Sequence, residues 1–390
     1  HPVYFFPIMA GRYEVHRAGD CSVYYHAAHL SNVPDMAQAL DRSRRFYSAL
    51  FSAYPFRELR IVEFLKLAAF AMGHPTLIPF SEAIGFLTKA DDGISNINFM
   101  VTAHEAAHQW WGTIVTPARV PGAAFLTEGL AHFSTLLMEE RFNGRVAARN
   151  RLLRFEREYL GGRHADVERP IVRMDGSEPG DEAAWYNKGG LVFWMLSQTM
   201  GRDRFGEVLR RFVEEYSFKS DHPTVHDLLR LVREVAPGEC DLFLQQWFYE
   251  VHLPKPEIVR AEVIPNGTVF DTTIQVRNAG TGTVPLEVEV ANRKRLSTEI
   301  GIEPAPVRLQ RDTLPDPLGW EEELRKFEEQ RAQGGGKPLE PYEAERVSIM
   351  LGPDAEATAT FRTTFKPRYV LLDPDAKLLM SGRTRAGRGL

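Results

Sequence analysis

The chain has 390 residues, more than one core usually organises, so two or three domains are expected. With 44% hydrophobic and 25% charged residues its composition is ordinary for a globular protein, and a formal net charge of −5 excludes the polycationic footprint of a nucleic-acid binder. No uninterrupted apolar run reaches the length that spans a bilayer, and Cys21 and Cys240 alone cannot build a disulfide framework.

The opening stretch, HPVYFFPIMAGRYEV, lacks an initiator Met and the layout of a signal peptide, and reads as the middle of a longer chain. Residues 1–30 alternate as strands do, around Val23, Tyr24 and Tyr25. A helix is expected from Pro34 to near Pro55. Strands follow in LRIVEFLKL and PTLIPFSEAIGFLTK, the second leading into a turn at Asp91–Asp92–Gly93. Ile97, Met100, Val101, Ala107 and Trp111 recur at helical spacing and predict a helix ending around Gly112. TEGLAHFSTLLMEERF predicts the next helix, with Thr127 as its cap and Gly144 just beyond its end. An apolar helix from Trp185 to Met200 closes at Gly201. Further helices are expected at 203–216, at 225–235 behind Thr224 with Asp227 three residues later, and at 241–250.

At VHLPKPEI the period changes to two. IVRAEVI, VFDTTIQVRN, PLEVEVAN, ATATFRTTF and RYVLLD read as strands, with Asn266–Gly267 as a hairpin signal. Between them, DPLGWEEELRKFEEQRAQGGGKPLEPYEAE is charged and helical, then glycine-rich, and reads as a solvated insertion or long loop. The final SGRTRAGRGL reads as a loose basic tail, with a surface role as the alternative.

The chemistry concentrates in VTAHEAAHQWWG. His104 and His108 lie one turn apart on one helical face, so their Nε2 atoms can converge on one small cation. Glu105, beside His104, can direct its carboxylate at a water held by that cation. This is the H-E-x-x-H arrangement, in which zinc acidifies a water and the glutamate takes its proton. Two imidazoles and a carboxylate on an otherwise apolar helix would carry a desolvation cost without a partner, and a metal supplies one. Hydrolytic zinc takes three protein ligands and keeps one open position. Glu128, in FLTEGLAHF on the next helix, is the best third candidate. A plain helix-terminus role through the macrodipole is its alternative. His132, one turn past Glu128, is a rival ligand, ranked behind a place in the packing or outer shell of the site.

Taken together, HEAAHQWWG, FLTEGLA and YNKGG resemble the M1 aminopeptidases, members of the gluzincin clan. The resemblance implies that His104, His108 and Glu128 bind one zinc ion, that Glu105 is the general base, and that Tyr186 of YNKGG stabilises the oxyanion. Without it, Tyr186 beside Trp185 reads as packing. Two departures stand out around the ligand glutamate. The family places 18 residues between the second histidine and that glutamate, whereas Gln109 to Thr127 is one residue longer, and Thr127 stands where the family has Asn. The family's G-x-M-E-N segment, whose glutamate pairs with the substrate's α-ammonium, has no intact counterpart. IPFSEAIGF lies at the right distance, which makes Glu82 the candidate amine anchor, with a solvated strand-end carboxylate as the alternative.

The resemblance covers residues 50–250 well and implies a multidomain α+β chain. Residues 1–19 are the remnant of a preceding β domain, 20–252 a thermolysin-like zinc peptidase domain, and 253–390 a β-sandwich domain carrying the charged insertion near 312–345. FFPIMAGRYEV and SEAIGF look most like the M1 segments of bacterial ABC-type permease fusions. This implies tethering to a membrane domain and a membrane-associated location, though the segment itself makes no membrane contact. The expected activity is removal of N-terminal residues from peptide substrates. The alternatives are an oligo- or endopeptidase indifferent to the free amine, and a peptidase-like binding or regulatory module of a transporter.

Overall fold

The structure, a computed structural model, describes residues 7–88, 97–295 and 340–390. Strands β1 (Glu14–Ala18) and β2 (Cys21–Tyr25) form an antiparallel hairpin. Helix α1 (Val33–Leu50) then crosses over so that β3 (Leu59–Phe64) lies parallel to β2, and β4 (Leu77–Ser81) adds parallel to β3. Val23, Ile61 and Ile78 sit in register across this sheet, fully buried in one core with Met36, Leu40 and Tyr47 of α1. The segment Phe70–His74 continues the sheet beyond β4 as an antiparallel edge. Ser81 N–H donates to the Phe70 carbonyl (3.0 Å), Met72 N–H to Pro79 (3.1 Å) and His74 N–H to Leu77 (2.9 Å).

The strand expected through PTLIPFSEAIGFLTK stops at Ser81, where the side-chain oxygen accepts Ala83 N–H and starts a π-helical turn, Glu82–Phe86. The turn expected at Asp91–Asp92–Gly93 lies outside the described residues. Helix α2 (Ile97–Ala107) ends before the expected Gly112, because Gly112 (φ +127°) reverses the chain and donates its N–H to Val115. The tryptophans after α2 fix its position. Trp110 Nε1 donates to the Ser52 carbonyl and Trp111 Nε1 to Ser134 Oγ, at 3.1 and 3.0 Å.

A π-helical turn, Phe125–Gly129, runs straight into α3 (Leu130–Phe142), so Thr127 is inside the helical run and is not its cap. The buried Phe125 and Leu126 pull the helical start upstream, and Thr127 Oγ1 donates to the Ala124 carbonyl (3.1 Å). Gly144 (φ +82°) breaks the chain as expected, but a further helix, α4 (Gly144–Gly162), follows at once. Its charged sequence conceals a core face, since Arg151 is buried and paired with Glu139 of α3 (2.9 Å).

The short α5 (Asp181–Ala183), a π-helical turn Ala184–Lys188 and α6 (Gly189–Met200) form one run that closes at Gly201 (φ +88°). Then come α7 (Arg202–Tyr216), α8 (Val225–Val235) behind the expected Thr224–Asp227 capping box, and α9 (Asp241–Leu244), which leads into a π-helical turn, Gln245–Tyr249. No described helix is long and apolar enough to cross a membrane.

The remaining strands are β5 (Pro256–Asn266), β6 (Val269–Asn278), β7 (Val284–Ala291), β8 (Ala344–Leu351), β9 (Glu356–Thr363), β10 (Tyr369–Leu372) and β11 (Gly387–Gly389). They form antiparallel sheets in the orders β5–β6–β9 and β11–β10–β7–β8, with the expected hairpin at Gly267 (φ +64°). Most of the charged insertion lies outside the described residues, and its end is already strand β8. The terminal basic stretch is not loose. Arg383 reaches Glu156 of α4 (2.7 Å) and Asp373 (3.1 Å), and β11 pairs with β10, because two buried carboxylates need that cation.

The contact that sets the helical layout involves Gly129 and Gly189. A Cβ on Gly189 would lie 2.8 Å from Gly129 Cα, so the elements carrying Glu128 and Tyr186 meet backbone to backbone. Gly189→Ala is expected to destabilise the protein by about 1–3 kcal/mol in denaturant melts, the usual cost of overpacking. Gly161→Ala, whose Cβ would meet nothing within 4 Å, should not. Equal stability of the two variants would discount the contact.

Candidate metal centre

Helix α2 runs through the core with His104 and Glu105, both more than nine-tenths buried, and His108 follows immediately at its end. The histidine rings stand edge to face, centroids 4.7 Å apart, and their Nε2 atoms approach to 3.2 Å. Glu128, in the π-helical turn before α3, brings Oε2 to 3.2 Å from His104 Nε2 and 3.3 Å from His108 Nε2. These ligand atoms make a nearly equilateral triangle. A tetrahedron with metal–ligand bonds of about 2.0–2.1 Å has edges of roughly 3.3–3.4 Å, so the triangle fits one face of a zinc site with its fourth corner open. The extra residue between Gln109 and Thr127 does not disturb this convergence.

Each imidazole is held from its other nitrogen. His108 Nδ1 lies 3.0 Å from the Trp111 carbonyl, which can only accept, so neutral His108 presents a bare Nε2. His104 Nδ1 lies 3.0 Å from His132 Nδ1. His132 is therefore behind His104, on the side of the ring away from the triangle, stacked on Phe155 with centroids 4.4 Å apart. Burial, followed by the neighbouring His104, pushes its pKa well below the usual histidine value.

The charges in the triangle reinforce each other. Burial alone would lower the His108 pKa, but the charge and hydrogen bond of Glu128, the charge of Glu105 and the Trp111 carbonyl outweigh it and raise the pKa to about 9. Burial alone would raise Glu128. The two histidines overcome that and hold its carboxyl far below the ordinary carboxylate range. Tyr186 places its ring 5.9 Å from that of His104 and 5.2 Å from that of His132. Burial, then the charges of Glu128 and Glu105, drive its ionisation far above the usual phenol value, so it remains an O–H donor.

Two features of the site carried no role in the sequence reading. Lys188, fully buried at the end of the turn bearing Tyr186, pairs with Glu168 at 2.7 Å, and Glu168 also accepts from Tyr159 and Arg163. The YNKGG string held this lysine and both packing glycines, but nothing in it announced their partners. The second feature is the edge segment Phe70–His74. A Cβ on Gly73 would lie 2.6 Å from His108 Cβ and 2.8 Å from the Glu105 carbonyl oxygen, so this segment lies directly on the catalytic helix. Residues 70, 72 and 74 pair with β4, so by antiparallel alternation Ala71 and Gly73 direct their peptide groups away from it. Phe-Ala-Met-Gly-His also shares the methionine of G-x-M-E-N, with Gly73 where that pattern has its glutamate.

Glu82 is in a different cluster. It is 6% exposed, Oε1 accepts Lys66 N–H at 3.1 Å, and Oε2 lies 4.0 Å from His29 Nδ1. His29 also bonds Glu63, which in turn accepts His26 N–H (2.6 Å). The structure thus brings His104, Glu105, His108, Glu128 and Tyr186 together. It engages Glu82 with the loop that launches the edge segment, a buried carboxylate already supplied with donors.

Residues 38–247 match the family model for the Peptidase family M1 domain. Similar curated proteins include Aminopeptidase 2 of Candida albicans, 26% identical over 62% of this chain and 26% of its own length. Aminopeptidase N of Lactococcus lactis is 24% identical over 44% of this chain and 20% of its own length. Among solved structures, Legionella pneumophila aminopeptidase A in complex with aspartic acid matches 95% of this chain and 38% of that one, with a TM-score of 0.62 and 17% identity. Native yeast LTA4 hydrolase matches 62% of this chain and 40% of that one, with a TM-score of 0.53 and 18% identity. These structures share the mixed α/β fold. The chain spans between about a tenth and a third of the length of the curated relatives it matches.

With its pKa near 9, His108 of the metal-free protein holds a proton at neutral pH that must leave when a metal takes Nε2. Zinc titration of chelator-treated protein is expected to release about one proton per site near neutrality. The release should fade as the pH rises through about 9. Calorimetry in buffers of different ionisation enthalpy measures it, and heats independent of buffer would contradict the assignment.

Proposed function

The chain belongs to peptidase family M1, and we propose that it hydrolyses peptide bonds with the help of one zinc ion, removing residues from peptide N-termini. The observation that carries this reading is the triangle of His104 Nε2, His108 Nε2 and Glu128 Oε2, with edges of 3.2–3.3 Å. A thermolysin-like lobe over 20–252 and a β-sandwich over 253–390 belong to the same proposal. The parallel sheet followed by helices supports the first. The shared core residues Ile274, Leu286 and Phe361 of the two antiparallel sheets support the second.

His104, His108 and Glu128 would hold the ion, which supplies Lewis-acid polarisation and makes water a usable nucleophile at neutral pH. An extended peptide would pair with the outward peptide groups of Ala71 and Gly73, adding a strand to the sheet edge. Glu105, one residue from His104 on the same helix, takes the proton of the attacking water at its carboxylate and returns it to the leaving amine nitrogen. Tyr186 donates its O–H to the oxygen of the scissile carbonyl as negative charge develops there. Its raised pKa keeps that proton in place across the working pH range.

A second reading, an oligo- or endopeptidase without a free-amine requirement, is favoured by one feature. The edge segment against His108 bears Gly73 in place of a carboxylate, and Glu82 is occupied by Lys66 and His29.

Two experiments test these readings. Glu105→Gln should keep zinc, measured by metal analysis, and lose hydrolysis, while Tyr186→Phe should slow it by about 10²-fold, as loss of one oxyanion donor does. Retained turnover in the first variant would remove Glu105 as the base, and an unchanged rate in the second would return Tyr186 to packing. Nα-acetylation of a peptide substrate should slow cleavage at least ~10-fold if the ammonium is recognised, since a charge-assisted contact is lost. Equal rates would assign the second reading.

A further inference from the structure

We propose that His132 is a positioning residue that fixes the tautomer and orientation of His104, an inference that rests on the zinc reading above. The two Nδ1 atoms lie 3.0 Å apart, a hydrogen bond in which one ring must donate and the other accept. A His104 ring that offers Nε2 to a metal keeps its proton on Nδ1, so His104 donates and His132 accepts, leaving the His132 proton on its own Nε2. The arrangement parallels His108, whose Nδ1–H is taken by the Trp111 carbonyl at 3.0 Å. Both ligand imidazoles are thereby locked from behind, one by a backbone oxygen and one by a side chain.

The acceptor itself is held tightly. His132 is 9% exposed, stacks on Phe155 with an interplanar angle of 27°, and meets the Tyr186 ring edge-on at 5.2 Å. A Cβ on Gly190 would fall 2.9 Å from His132 Cβ, so α6 presses on it at a position that has no side chain. His132 touches His104 on the face opposite the triangle, so it cannot join the ligand set without abandoning this packing. Partners of this kind typically change metal affinity by about 10–100-fold when removed.

The test compares His132→Phe, which keeps a stacked ring and removes the acceptor, with His132→Asn, whose Oδ1 occupies the place of Nδ1. Zinc dissociation constants are measured by competition with a chromophoric chelator, and melting of the metal-free proteins reports damage to the fold. The phenylalanine variant should bind zinc about 10–100-fold more weakly, and the asparagine variant should recover most of the loss. Should the phenylalanine variant not fold, His132→Ala reads the same loss. Wild-type affinity in a variant lacking the acceptor, or equal weakening in the asparagine variant, overturns the proposal. A wild-type protein that takes up no zinc at all sinks the metal-centre reading first, and this inference with it.

Discussion

Two imidazole nitrogens and a carboxylate oxygen, each 3.2–3.3 Å from the others in a largely dehydrated setting, are the constraint around which the catalytic half of the molecule is arranged. Two bare Nε2 atoms at that separation repel, and a buried carboxylate beside them carries its own desolvation cost. A cation, a proton or a divalent ion, would reconcile all three. The raised pKa of His108 and the depressed one of Glu128 express the same attraction from its two sides. The three groups together form a candidate cation site.

Holding such a triangle open requires rigid supports. Trp110 and Trp111 tie the end of α2 to Ser52 and Ser134. The Gly129–Gly189 approach brings the turns bearing Glu128 and Tyr186 together, and the buried Lys188–Glu168 pair anchors the far end of the second turn. Both functional side chains stand in π-helical turns that lead into ordinary helices, where the wider winding re-aims a residue without breaking the run. Backbone-to-backbone packing leaves these turns little freedom, which suits a site whose ligands must hold their positions to a fraction of an ångström.

The triangle is bordered by the edge segment, and the carboxylates nearby divide by environment. Glu105 faces the site, where its charge acts on His108 and Tyr186. Glu82 and Glu63 are turned into a separate buried cluster with His29, and Glu82 holds the Lys66 N–H at the base of the loop preceding the edge. Glu63 and Glu82 are already supplied with backbone donors, from His26 and Lys66.

The gathering of His104, Glu105 and His108 was legible because their spacing is local, and that of Glu128 and Tyr186 beside them through the family resemblance of their segments. His104 and His108 are one helical turn apart, and Glu128 and Tyr186 open apolar helical runs. The α6 closure at Gly201, the Thr224–Asp227 box and the period-two strands were legible for the same reason. What failed depended on contacts across the chain. Ser81 ends a strand that its apolar neighbours would have continued. The charged α4 has a core face because Arg151 meets Glu139. The basic terminus is ordered because Arg383 meets Glu156.

Sequence alone determined that His104 and His108 share one helical face with Glu105 beside them, since helical periodicity sets this whatever the rest of the chain does. Only the tertiary structure decided that Gly73 lies on Glu105 and His108, that Glu82 joins a cluster with His29 and Glu63, and that His132 backs His104. Those relations arise where distant segments pack, and neither spacing nor composition encodes which segments meet.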